Sequence, residues 1–97
     1  MISEDKKLVI KPQPGRLCLS RSGRDKGRYF LIKEIGTDGY VYITDGMMRK
    51  VMTPKKKKLK HLELKPEVAA SIAEKFENGT KVFDAEIASA IMSYTDK

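Results

Sequence analysis

Residues 21–28 read Arg-Ser-Gly-Arg-Asp-Lys-Gly-Arg, and their side chains have an obvious chemistry. Arg21, Arg24, Lys26 and Arg28 supply four cations around Ser22, Gly23 and Gly27. A guanidinium offers a planar fork of donors that matches a phosphate, and an ammonium offers a compact point charge. Glycine takes left-handed backbone freely and leaves room for a ligand to approach the chain. Such a segment fits an anion, and an ordinary solvated hairpin loop accounts for it equally well. More cations follow at Arg49, Lys50, Lys55, Lys56, Lys57, Lys58 and Lys60, beside the single histidine, His61. Tyr40 and Tyr42 are candidates to stack on unpaired bases. Idle surface positions explain these two tyrosines as well, and core packing is the expected place of Tyr29.

Other chemistries find no footing. The chain has no HExxH pair of histidines, no Cys-His pairing and no Walker-type phosphate loop, since Gly23 and Gly27 are too close together and no Lys-Ser/Thr follows. His61 lies between lysines and Leu62, where a phosphate or strand contact is plausible and general-base work is unsupported. No catalytic residue, metal site or cofactor is expected. The one cysteine, Cys18, rules out an internal disulfide and suits a reducing compartment, where it reads as a small buried strand residue.

Charge is unevenly spread over the 97 residues, whose net charge is +7. Between residues 15 and 62, 13 Lys/Arg stand against 4 acids, a balance of +9, whereas from residue 63 onward 4 Lys stand against 7 acids, a balance of −3. Concentrated positive charge is the footprint of a polyanion binder, because each neutralised phosphate releases condensed counterions. For the lysine run taken alone, a solvated face or a targeting patch is an equal reading. The N-terminus lacks the continuous apolar stretch of a secretory signal, and no stretch approaches the roughly 20 apolar residues that span a bilayer. A soluble cytoplasmic protein is the expectation.

Elements must position these side chains. Residues 1–14 read as an N-terminal arm ending in Pro12-Gln13-Pro14, where neither proline can donate a ladder hydrogen bond. Residues 16–20 alternate as a strand, with Leu17 and Leu19 on one face and Cys18 on the other, and residues 28–35 form the most apolar run, the expected central strand. Asp38-Gly39 between β-rich runs signals a hairpin. Residues 40–44 return with Val41 and Ile43 on one face and Tyr40 and Tyr42 on the other. Asp45-Gly46 turns the chain into a strand over residues 47–52, and a short closing strand is placed at residues 60–64. A meander this tight closes most often as a small SH3-like or OB-like barrel.

Composition then turns helical. Pro66 suits a first helical turn, Val68, Ile72 and Phe76 recur every four residues, and Asn78-Gly79 stops that helix. Asp84 is placed to cap a second helix, with Ile87, Ile91 and Tyr94 on one face.

Two segments in order carry a family resemblance. Residues 15–32, a strand, a glycine-containing basic loop and a second strand, resemble the KOW motif of ribosomal proteins and transcription-elongation factors. Thr44-Asp45-Gly46-Met47-Met48-Arg49-Lys50-Val51, followed by residues 54–62, is similar to KOW proteins related to a large-subunit ribosomal protein of archaea and eukaryotes, with small bacterial relatives. The resemblance implies an SH3-like barrel over residues 15–64 that binds RNA, generally ribosomal RNA, mainly through phosphates. Its contacts would be Arg21, Ser22, Gly23, Arg24, Lys26, Gly27, Arg28, Arg49, Lys50, Lys55, Lys56, Lys57, Lys58, Lys60 and His61. The acidic helical extension, residues 65–97, lies outside the likeness; it could meet a ribosomal or translation protein or fold across the basic face. The alternative from another class is an SH3-like module that docks on a translation or transcription factor.

Overall fold

The computed structural model describes residues 10–96, so most of the N-terminal arm lies outside the described residues. Five antiparallel strands precede two helices: β1 (Arg16–Ser20), β2 (Tyr29–Ile35), β3 (Tyr40–Thr44), β4 (Lys55–Lys58), β5 (Leu62–Val68), α1 (Ala70–Asn78) and α2 (Asp84–Thr95). A single turn of 3-10 helix, Leu59–His61, joins β4 to β5. The sheet order is β4-β3-β2-β1-β5, and the sheet is open, its edge strands β4 and β5 sharing no ladder.

Alternation decides where the core sits. Leu17 pairs with Leu31 and points to one face, where Val51, Ala69, Ile72, Val82 and Ile87 cover it and Phe76, Ile91 and Tyr94 pack alongside. Tyr29 also packs there, half-buried, as anticipated. Cys18, Phe30, Ile32, Val41, Ile43 and Leu62 point to the other face and make a second cluster with Leu59 and Leu64. Among the described residues, that second cluster takes no member from α1 or α2. Phe30, Leu31 and Ile32 are all fully buried, which makes β2 the central strand, apolar on both faces.

The hairpin at Asp38-Gly39 forms as expected. Asp38 (φ +54°) and Gly39 (φ +79°) are both left-handed, and Tyr40 N–H donates to the Thr37 carbonyl, the pattern of a type I′ turn. Gly79 (φ +74°) terminates α1, again as expected.

Three local expectations are corrected. Residues 47–52 form no strand, because side chains take their backbone groups. Asp45 Oδ1 accepts the N–H of Met47 and of Arg49, the Arg49 carbonyl accepts from Thr44 Oγ1, and Val51 N–H goes to Asp84 Oδ1. The lysine run supplies the fourth strand instead. Pro66 lies inside β5, not in a helix; β5 is an edge strand, where a residue without an N–H is tolerated, and Arg16 Nη1 donates to the carbonyls of Lys65 and Pro66. Asp84 does not cap α2: Phe83 holds the cap position, Glu86 accepts its N–H, and the Asp84 carboxylate is committed to Val51. That last bond ties the β3–β4 loop to α2, and Gly46 sits so close that a Cβ there would run into the Asp84 carbonyl oxygen.

Candidate nucleic-acid interface

Four consecutive lysines placed in a strand must alternate in direction. On β4, Lys55 and Lys57 pair with Ile43 and Val41 and share their inward face, while Lys56 and Lys58 pair with Tyr42 and Tyr40 and face outward. Lys57 is 7% exposed, and its Nζ donates to the Ser22 carbonyl at 2.9 Å. Lys55 Nζ reaches Asp25 Oδ2 at 3.1 Å. These two bonds run from the free edge of β4 to the loop 21–28, where a backbone ladder does not.

Two buried carboxylates organise the rest. Asp25 also accepts from Arg49 Nη2 at 3.2 Å, so one side chain of loop 21–28 holds a residue of the β3–β4 loop and one of β4. Asp45 accepts from Arg28 Nη2 at 3.0 Å while holding the Met47 and Arg49 amides. Burial raises the pKa of both acids, but hydrogen bonds and positive charge outweigh it and leave each below the ordinary aspartate value. Lys55 and Arg49 do this for Asp25; the two amides and Arg28 do it for Asp45. Gly23 (φ +76°) and Gly27 (φ +88°) shape the loop that carries Asp25, whose chain closes through the Gly27 N–H on the Ser20 carbonyl and the Arg28 N–H on the Asp25 carbonyl.

The cations named from the sequence therefore fall into two sets. Arg28, Arg49, Lys55 and Lys57 are engaged within the protein, and Arg21 pairs with Glu63 at 3.2 Å. Arg49 and Lys50 stand on a loop, not on the strand expected for them. Arg24, Lys26, Lys50, Lys56, Lys58 and Lys60 are exposed and have no carboxylate partner among the described residues. Ser22 contributes its carbonyl, and the half-buried His61 gives its carbonyl to the Arg21 amide. Tyr40 and Tyr42 stand half-buried on the outer face, with Lys56 Nζ 4.6 Å from the centre of the Tyr40 ring. The sequence reading missed Asp25 and Asp45 as clamps. Their signal was present: Asp25 is the lone acid inside a basic loop, a position where a carboxylate collects several cations.

Other surface features are modest. The helices cover the sheet on the Leu17–Leu31 side and leave the β3–β4 outer face open. Met47 and Met92 are exposed on either side of a groove of about 290 Å³ between the β3–β4 loop and α2. Among the described residues, no helix is long and apolar enough to cross a membrane. Burial pushes the Cys18 thiol up to about 12, which makes it unreactive in the folded chain. No protein-family model matches this chain, and no curated protein is significantly similar to it.

Proposed function

We propose that this protein is a non-catalytic RNA-binding protein with an SH3-like, KOW-type barrel, acting on structured, ribosomal or ribosome-associated RNA in the cytoplasm. One observation carries the reading: inward cations fasten the two loops and β4 together, while six cations with no acid partner among the described residues remain on the outside of that clamped unit. Basic side chains spread over a surface without matching acids repel one another, and a polyanion relieves that repulsion. The strand order, with a 3-10 turn between the fourth and fifth strands, is compatible with the barrel, and Lys55 and Lys57 tie the open edge strand β4 to loop 21–28.

Binding proceeds by phosphate contact from Arg24 and Lys26 on one loop, Lys50 on the next, and Lys56, Lys58 and Lys60 along and beyond β4. With about six phosphates neutralised, log affinity falls against log salt with a slope of about −4 to −5. A slope near zero for structured RNA would falsify the mechanism. Charge reversal at Arg24 with Lys26 weakens binding, and so does reversal at Lys56 with Lys58; an effect confined to the lysines would reduce loop 21–28 to scaffold.

A second reading, a module that docks on a translation or transcription factor, draws on the exposed Met47 and Met92 that line the α2 groove, and on Met48, exposed next to Met47 in the chain. Methionine adapts to varied apolar partners. Association with such a factor that persists after nuclease treatment and at high salt, and is lost on Met47→Ser with Met92→Ser, would favour it.

A further inference from the structure

The type I′ turn at Asp38-Gly39 fixes the register of β3 on β2, with Tyr42 opposite Glu34, and the separate pairing of β3 with β4 sets Tyr42 opposite Lys56 and Tyr40 opposite Lys58 on the outer face. Val41 and Ile43, on the other face of the same strand, are fully buried, so the two rings stand on a strand anchored from behind. Alternate residues of a strand are about 7 Å apart, and two rings so spaced present separate places for two bases. The helical layer does not reach this face: the apolar cluster under the helices contains no residue of β3 or β4. Past Tyr40 the surface falls into a concavity lined by Asp38, Gly39, Lys58, Leu59 and Lys60. Lys58 and Lys60 bring two ammonium groups to it and the exposed Asp38 one carboxylate.

We infer that the outer face of β3 and β4 is a stacking platform for unpaired nucleotides, with bases on Tyr42 and Tyr40 and the backbone phosphates following Lys56, Lys58 and Lys60. The inference rests on the RNA-binding reading and narrows its ligand to single-stranded segments such as loops and ends. Paired bases are stacked within their own helix and offer no free face to a side chain. Lys56 has a specific part. Its ammonium lies over one face of the Tyr40 ring in the unliganded chain. A phosphate attracts that ammonium more strongly than a ring quadrupole does, so the arriving backbone draws Lys56 away and leaves the ring face to the base. Glu34, opposite Tyr42 and exposed, sets the acidic limit of the platform on the β2 side, which directs the backbone toward β4.

The test compares a labelled oligouridylate with an RNA duplex by fluorescence anisotropy on the full chain. The chain has four tyrosines and no tryptophan, so its intrinsic emission is tyrosine emission, and the part lost in the Tyr40→Leu with Tyr42→Leu variant is the part that stacking quenches. Oligouridylate is expected to bind and to quench that emission. Tyr40→Leu with Tyr42→Leu lowers oligouridylate affinity by about tenfold per ring, leaves the slope against salt unchanged and leaves duplex binding unaffected, while Tyr40→Phe with Tyr42→Phe retains wild-type affinity. Unchanged oligouridylate affinity in the leucine variant with duplex binding intact overturns the platform and leaves the RNA reading standing. Failure to bind either RNA overturns both. Should the leucine variant not fold, the wild-type chain still decides the matter: saturation with oligouridylate without quenching overturns the platform.

Discussion

On β4, Lys55 and Lys57 run inward to Asp25 and the Ser22 carbonyl, whereas Lys56 and Lys58, each one residue away, face solvent beside Tyr42 and Tyr40. The four residues share charge, length and propensity and differ only in parity. Lysine can serve either role because its long apolar stem packs along a strand while its head travels to a distant acceptor. Positive charge in the sequence therefore overstates the charge available to a ligand: part of it is neutralised by Asp25 and Asp45 and holds the protein together.

The sharpest way to break this contrast is to remove the inward set's anchor. Asp25→Ala leaves Arg49 and Lys55 facing each other without their shared carboxylate and is expected to cost about 2–3 kcal/mol, measured by urea denaturation. A cost near zero would mean that the clamp is incidental. Lys57→Ala comes next, at about 2 kcal/mol, through loss of a buried stem and of the bond to the Ser22 carbonyl; Lys57→Met restores the stem and recovers about half.

Acid probes the same clamp without mutation. The folded carboxyls of Asp25 and Asp45 titrate below the ordinary value of about 3.9, so the unfolded chain binds protons first as pH falls. Their contribution is complete above that value and is lost as pH drops through it to the folded values. Thermal melts should show a fall in stability confined to this acidic range, and it should be shallower in Asp25→Asn.

Smallest in stability is the outward pair. Lys56→Gln with Lys58→Gln is expected to change unfolding free energy by less than about 0.5 kcal/mol, since both are exposed without an acid partner and the contact of Lys56 with the Tyr40 ring is solvent-facing. A large loss would erase the distinction between the two faces.

How much of this was legible in advance depended on whether a residue pattern carried a period. Residues 16–20 and 40–44 alternate, Asp38-Gly39 marks a turn by its φ requirements, and Ile87, Ile91 and Tyr94 recur at helical spacing; these elements stand where the sequence places them. Four identical lysines carry no period at all, so neither the strand nor the inward face of Lys55 and Lys57 could be read from them. Residues 47–52 failed for another reason: Asp45 and Asp84, distant in sequence from one another, take the amides that a strand would have paired. Pro66 misled because its positional meaning depends on whether an edge strand is available, which the pairing of β5 with β1 decides. The candidate site was legible as a set of cations and tyrosines. Its division into structural and exposed members required the acids' partners, and those are tertiary.

The central claim is that exposed cations, and not clamped ones, meet the RNA. It is tested most directly by the salt dependence of affinity for one structured RNA in three chains, each shown to be folded: wild type, Lys56→Gln with Lys58→Gln, and Lys55→Gln. The account predicts a slope of about −4 to −5 for wild type, a slope shallower by about 1.5 for the outward pair, and a wild-type slope for Lys55→Gln. A flat dependence in wild type, or a slope that changes for Lys55→Gln and not for the outward pair, would contradict it.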